Sequence, residues 1–584
     1  MNKFSNMVKF FINIMKKNPI LFSVVLLSPI FSGCLTIYVY NSQVLLINAV
    51  TMSIEHENIM LKEIFQAIKL FVTINIVQLC VDYICKCLAT RLGTEVGWKF
   101  QDELVTIANR IDLIKLDDKE FHDKLSRAKE LVGNELLGIV NDFVNIINQG
   151  CSLYSIIFLT IEYRLYYCSL LITFMLVINV YIKVKTEIKV KNLNREMTFD
   201  GRVADYLSGL MDQANAVREL RIYGGQNFYL ELWKKKFIYQ NSKRYGARKF
   251  EIRMGIIVSG IQIITTFFII YILIKNINNN VNITIGLLSV LFLNLIQCKN
   301  KIFDILWPIC SLYASVVKMQ DFNDVLKYKN ILNENKNYNI KDPTPLLVNK
   351  IEFYYKQNNL IFKDLSIKIL PGEKVAVVGK NGAGKSTFIK LLLGLYAPTK
   401  GEIIWNGETV CPKKVAVVFQ NYAKYDLTLR ENISLGNISR INCDNDIVDI
   451  IKKCGLDDLY MKLGGLDVPL GYTQKNGMDI SVGQWQRVAI ARALYSEANL
   501  LIFDEPTAAI DPKTEVEIFK MLIELCKNKT AIFVSHRLGW TKECDRIVVL
   551  DNGKVIEQGN YDELMAKKGE YYQMYKAQSF WYQN

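Results

Sequence analysis

The chain has 584 residues, 51% of them hydrophobic and only 22% charged, with a mean hydropathy of +0.13. That length exceeds one ordinary domain, and the composition excludes a disordered chain, a collagen-like repeat and a wholly water-soluble enzyme. The formal net charge of +14 suits nucleic acid, anionic lipid or the cytoplasmic loops of a membrane protein, and the placement of the charges decides among them.

From Asn18 to Ile54 there is no ionised residue, and Ile20 to Tyr40 is about the 20 residues a helix needs to cross a bilayer. This stretch is too long for a signal-peptide core and lacks a small-residue cleavage site, so it is expected to persist as a first span. A second span is expected over 64–89, although Lys69, Asp82 and Lys86 interrupt it. Four more follow at 143–161, 165–182, 254–274 and 281–298. Lys3, Lys9, Lys16 and Lys17 precede the first span, whereas Glu55, Glu57 and Glu63 follow it against Lys62 alone. The positive-inside rule therefore places the N-terminus in the cytoplasm of a cell-membrane protein. The long Lys- and Arg-rich connections 90–142 and 183–253 are cytoplasmic on the same rule. Their spacing, as in Leu104, Ile107, Ala108 and Ile111, predicts helices that continue out of the membrane. Topology thus accounts for the basic excess, and no nucleic-acid partner is expected. Within the second span, Asp82 and Lys86 stand one helical turn apart, placed either to pair or to face a polar path.

The thirteen cysteines form no zinc-type double pair and are expected to be reduced, buried apolar residues; three histidines leave little room for a histidine-built metal site.

An amphipathic helical extension is expected over 304–326. Residues 327–345 turn polar, Asn-rich and Pro-punctuated, the mark of a linker between a transmembrane domain (1–326) and a soluble domain (346–584). In the soluble part, apolar strand-like runs alternate with Gly turns and helical stretches, as in an α/β fold. Gly379-Lys380-Asn381-Gly382-Ala383-Gly384-Lys385-Ser386-Thr387 follows the strand-like run 374–378 and opens a helical run, the context a phosphate-binding P-loop demands. Its glycines let backbone N–H groups surround phosphates. Lys385 brings a point charge to them, and Ser386 a hydroxyl to Mg²⁺. Downstream, the apolar run 500–503 ends in Asp504 and Glu505, which would deliver one carboxylate to Mg²⁺ and a second to the attacking water.

With these residues in view, the chain resembles the ATP-binding cassette transporters, because Ile480-Ser481-Val482-Gly483-Gln484 looks like that family's signature sequence. Gln420 resembles its Q-loop glutamine, Ala508-Ala509-Ile510-Asp511 its D-loop, and His536 its switch histidine. Tyr355 resembles the aromatic that stacks on adenine, with Tyr354 as a rival in register. The resemblance covers the whole chain and implies a half-transporter of the exporter type. Its fold would be an α-helical transmembrane domain of six spans with long cytoplasmic helical extensions, joined to a C-terminal α/β P-loop nucleotide-binding domain. It implies ATP and Mg²⁺ as ligands, with Glu505 and His536 catalytic. Tyr355, Gly379, Asn381, Gly382, Gly384, Lys385, Ser386, Thr387, Gln420, Ser481, Gly483, Gln484 and Asp511 would bind nucleotide, and Ser386, Gln420 and Asp504 would hold the metal.

In this family two cassettes sandwich two ATP molecules, so a second copy is the implied partner. Val482 departs from the family's glycine, and a β-branched residue there is expected to hinder approach to the opposite phosphate. A heterodimer with a degenerate site therefore stays open beside the homodimer. The regions of Leu116 to His122 and of Ala204 to Ser208 resemble coupling helices. The residues around the signature look similar to those of bacteriocin-type peptide exporters, although they touch no cargo; fewer than twenty residues precede the first span, so no N-terminal peptidase domain is expected. A multidrug or lipid exporter and a nucleotide-gated sensor or immunity protein are the alternatives.

Overall fold

The computed structural model describes residues 2–55, 61–163, 165–277, 284–328, 345–355, 360–405, 408–409, 415–506, 512–527 and 529–583. It divides into two compact units, one of residues 1–111 with 118–333 and one of 112–117 with 334–584. Most of the expected linker, 329–344, lies outside the described residues.

The helical part runs α1 (Asn2–Lys17), α2 (Pro19–Glu55), α3 (Leu61–Arg110), α4 (Leu113–Leu116), α5 (Lys119–Glu130), α6 (Leu136–Glu162), α7 (Tyr166–Asp212), α8 (Ala214–Ile222), α9 (Gln226–Ile277) and α10 (Ile285–Lys327). The expected spans 20–40, 64–89, 143–161 and 254–274 lie on α2, α3, α6 and α9, 166–182 lies on α7, and 285–298 lies on α10, with 281–283 outside the described residues. Four stretches, Pro19–Ile54, Leu61–Arg110, Lys119–Glu162 and Gln226–Ile272, are long and apolar enough to cross a membrane. Tyr166–Ile182 and Ile285–Asn294 are shorter apolar stretches of α7 and α10. The connections 90–142 and 183–253 are largely helical as their spacing predicts, with Leu104 and Ile107 fully buried. The sequence reading did not anticipate α1, an amphipathic helix whose Phe10 and Ile14 are fully buried. Phe10 meets Phe100 and Phe322 at ring-centroid separations of 6.2 and 5.4 Å, so α1 is seated on α3 and α10. Gly33 brings α2 against α6, since a Cβ there would stand 2.1 Å from that of Cys151. Asp82 is held by the hydroxyl of Ser32 and by Gln78, 3.4 Å away, rather than by Lys86. The carboxylate is met from α2 by Ser32 and, one turn back on its own helix, by Gln78.

The two stretches that resemble coupling helices take the local structure below, and the reading of the cysteines is corrected. Ala204 to Ser208 lies inside α7, and the separate short helix is α8, closed by a turn at Gly224 with φ +67°. In the first connection, 90–142, the short helix α4 ends at Leu116, and Lys119 already begins α5. Finally, five described cysteines are buried, but Cys34, Cys80, Cys87 and Cys443 are exposed, because apolar sequence surroundings on a long helix do not choose the helix face.

The second unit carries strands β1 (Leu346–Tyr354), β2 (Leu360–Ile369), β3 (Lys374–Gly379), β4 (Lys400–Trp405), β5 (Glu408–Thr409), β6 (Val415–Val418), β7 (Leu500–Asp504), β8 (Thr530–Val534), β9 (Arg546–Asp551) and β10 (Lys554–Gly559). Its helices are α11 (Lys385–Leu392), α12 (Leu429–Ser434), α13 (Asp444–Lys453), α14 (Asp457–Leu463), α15 (Val482–Tyr495), α16 (Pro512–Leu525), α17 (Tyr561–Lys567) and α18 (Glu570–Gln583). One sheet has the order β10-β9-β3-β8-β7-β6, parallel except for β10, and an antiparallel sheet has the order β2-β1-β4-β5. Strands β7 and β8 are buried at every residue, as a parallel sheet covered on both faces requires. Residues 112–117 cluster with this unit: Leu113 packs on its core, and Asp117 accepts a 2.6 Å hydrogen bond from the Tyr396 hydroxyl.

Candidate nucleotide site

The P-loop leaves the carboxyl end of β3 and enters α11 at Lys385. Gly379, Gly382 and Gly384 all take positive φ, and Gly384 caps α11 at φ +98°. A side chain at Gly384 would be strained and would also meet the Phe362 ring at 2.9 Å, so the loop needs glycine there. Asn381, Gly382 and Ser386 face solvent, while Lys385 and Thr387 are buried. The Lys385 ammonium donates to the carbonyls of Gly379 (2.8 Å) and Lys380 (3.0 Å). Burial lowers its pKa, against the pull of Glu505 and Asp504. A cation held only by two carbonyl oxygens at a helix N-terminus is an anion site in waiting.

Strand β7 delivers Asp504 and Glu505 beside the loop. Asp504 is 6% exposed, and burial, then the charge of Glu505, pushes its pKa up to about 6 despite Lys385. Glu505 sits just beyond the strand at φ +50°, its N–H donating to the Val534 carbonyl at 2.9 Å. A left-handed backbone at a glutamate costs about 1–2 kcal/mol, and strain of this kind collects at functional positions. It turns the Glu505 carboxylate between two partners: Gln420 donates from Nε2 at 2.7 Å, and His536 Nε2 stands 2.6 Å from the other oxygen. Burial, then the Lys385 charge, lowers the His536 pKa, against the pull of Glu505. Glu505, His536 and Gln420, spread over 117 residues of sequence, therefore meet at one carboxylate.

Tyr355 follows β1 and turns toward α11, its hydroxyl 3.1 Å from that of Thr387. Its ring stands edge-on to Tyr396 at 5.7 Å. Tyr354 ends β1 on the face opposite the buried Phe353, so of the two tyrosines it is Tyr355 that lies against the P-loop helix.

The signature opens α15. Ser481 is its N-cap, accepting from the Gln484 N–H at 3.2 Å while the Gln484 side chain accepts from the Ser481 N–H at 3.0 Å. The Gln484 amide is thus engaged within its own capping box. Val482 is the first helical residue, where an ordinary right-handed backbone suffices, and its side chain is 49% exposed. The expected backbone penalty for losing glycine therefore does not arise. No hydrogen bond joins Ser481, Gly483 or Gln484 to the P-loop, Glu505 or His536 of the same chain among the described residues. The signature is instead tied to the Gln420 segment, because the Tyr422 hydroxyl donates to the Val482 carbonyl at 2.9 Å. Asp511 and the other D-loop residues lie outside the described residues.

Comparison with known proteins agrees with this geometry. The family profile for the ABC transporter matches residues 362–508. The chain is similar to the subtilin transport ATP-binding protein SpaT of Bacillus subtilis, 27% identical over 535 residues that cover 89% of this chain and 86% of that protein. It is also similar to the nisin transport ATP-binding protein NisT of Lactococcus lactis subsp. lactis, 30% identical over 400 residues and 64% of each chain. A bacterial Atm1-family ABC exporter with ATP bound shares the fold, with a TM-score of 0.73 at 19% identity over 95% of this chain and 100% of that one. With long apolar helices joined to a cassette whose motifs converge at the ends of β3 and β7, residues 362–508 form an ABC transporter domain with its ATPase, and the chain has the fold of an ABC exporter half-transporter.

Proposed function

We propose that this exporter moves a ribosomally made peptide out of the cell as a homodimer, with its N-terminus and cassette in the cytoplasm. The observation that carries the cargo is the likeness to the subtilin transport protein, which runs through the helical region as well as the cassette and spans 86% of that relative. The likeness to the nisin transport protein points the same way. A cavity of about 420 Å³ in the helical unit adds to it. Its lining combines Asp142, Asn145, Gln149 and Asp304 with Trp307 and Pro308, so it could take both polar and apolar groups of a peptide.

In the hydrolytic reading, Lys385 and the P-loop N–H groups receive the phosphates and Tyr355 the adenine. Ser481 of the partner subunit and Gly483 of the partner subunit close over the γ-phosphate. Glu505 accepts a hydrogen bond from the water that attacks the γ-phosphorus, the bond to the bridging oxygen breaks, and ADP and phosphate leave. His536 contacts the γ-phosphate and keeps Glu505 oriented. Asp504, Ser386 and Gln420 would hold a Mg²⁺ ion, which would supply charge neutralisation to the phosphates. The fit rests on Asp504: a carboxyl 6% exposed with its pKa pushed up to about 6 has unmet need for a positive partner.

The test compares, by mass spectrometry, peptides in the medium and cytoplasm of cells making the native chain or Glu505→Gln. A peptide that leaves the medium and accumulates inside in the variant is the expected result. Matching profiles from a native protein that still hydrolyses ATP would reject peptide cargo and turn the search to lipids and drugs.

A further inference from the structure

Helix α18 touches the nucleotide site at two points that no assigned role explains. At its start, the Glu570 carboxylate pairs with Lys380 of the P-loop at 2.6 Å. Two turns on, Gln578 reaches the loop after β8 and spans the backbone around Arg537: its Nε2 donates to the His536 carbonyl, and its Oε1 accepts from the Leu538 N–H at 2.9 Å. The helix that carries Gln578 is itself fixed. Glu557 accepts from the N–H groups of Glu570 (2.7 Å) and Tyr571 (3.1 Å), and the buried Tyr571 hydroxyl lies 2.7 Å from that of Thr541. A side-chain amide that matches one C=O and one N–H of a two-residue-separated backbone pair holds that turn as a strand neighbour would.

We propose that Gln578 is a positioning residue for hydrolysis, acting through His536. By fixing the peptide groups on either side of Arg537, it sets where the imidazole stands relative to Glu505, 2.6 Å away in this structure. The Glu570–Lys380 pair anchors the same helix to the loop that receives the phosphates, so α18 keeps the switch loop and the P-loop in register. A 1 Å displacement of a catalytic group is enough to cost rate without touching substrate affinity.

This inference rests on the reading of His536 as part of the hydrolytic machinery. The experiment is therefore a double-mutant cycle on the full chain in lipid nanodiscs, with single-turnover ATP hydrolysis so that slow rates are readable. Gln578→Met, similar in volume but unable to make either hydrogen bond, is expected to lower kcat about tenfold with the KM for ATP changed less than about threefold. In a His536→Ala background the same change is expected to cost almost nothing further. Full loss in both backgrounds, equal losses in kcat and ATP affinity, or no loss in either would overturn the proposal. An unchanged rate in His536→Ala alone would instead overturn the underlying reading of His536, and the cycle separates the two.

Discussion

Glu505→Gln is expected to lower ATP hydrolysis by about 10²- to 10⁴-fold, the range for removal of a residue that handles a proton in the transition state, while ATP binding stays within about threefold. The carboxylate is shared between Gln420 and His536, both within 2.7 Å. An amide preserves its shape and the positive-φ backbone but loses the charge that orients water. Phosphate release against time, beside equilibrium binding of a fluorescent ATP analogue, checks both halves. Hydrolysis within tenfold of native would remove Glu505 from its assigned role. Because the hydrolytic step resets the cassette pair, the variant is also expected to accumulate an ATP-bound dimer, visible as a shift in size-exclusion elution of cross-linked protein.

Asp504→Asn is expected to abolish hydrolysis and, at the same time, to stabilise the nucleotide-free cassette at neutral pH. A free aspartate titrates near 3.8, whereas burial pushes Asp504 up to about 6. The folded state therefore holds this proton more tightly than the unfolded chain. The stabilising contribution is full below about 3.8 and is lost as pH rises through about 6. At pH 7.5 the buried charge is a net cost of about 3 kcal/mol, which an asparagine of the same shape removes. Nucleotide-free thermal midpoints should favour the variant by several degrees at pH 7.5 and converge with the native protein near pH 4. Adding Mg²⁺ and ATP should reverse the order, because only the carboxylate gains a cation. A native protein that stays the less stable of the two with Mg²⁺ and ATP would show that Asp504 is not a metal ligand.

Much of this molecule is written in local pattern. The uncharged run 18–54, the P-loop glycines and the apolar strand that ends in Asp504 and Glu505 each specify their element, because membrane partition, positive φ and burial on two faces act within a few residues. The order of the motifs then identified the cassette. The amphipathic α1 escaped notice because its short apolar stripe gains meaning only once Phe100 and Phe322 are there to receive Phe10. Asp82 was a similar case, since Ser32 comes from α2, while the sequence displayed Gln78 and Lys86 one turn to either side and could not choose between them.

What the sequence by itself determined is the inventory: the apolar spans, a P-loop with its Lys385, a carboxylate pair at a strand end and a histidine after another strand. The tertiary structure decided how they combine. Parallel pairing of β7 with β8 on one side and with β6 on the other sets the three strand ends side by side, and this long-range register brings His536 and Gln420 to the two oxygens of Glu505. It also decided that Val482 needs no glycine backbone, by making it the first residue of α15. And it placed Gln578, a residue with no motif around it, against the His536 backbone, since a contact across 42 residues depends on how α18 docks and on nothing that its neighbours in sequence reveal.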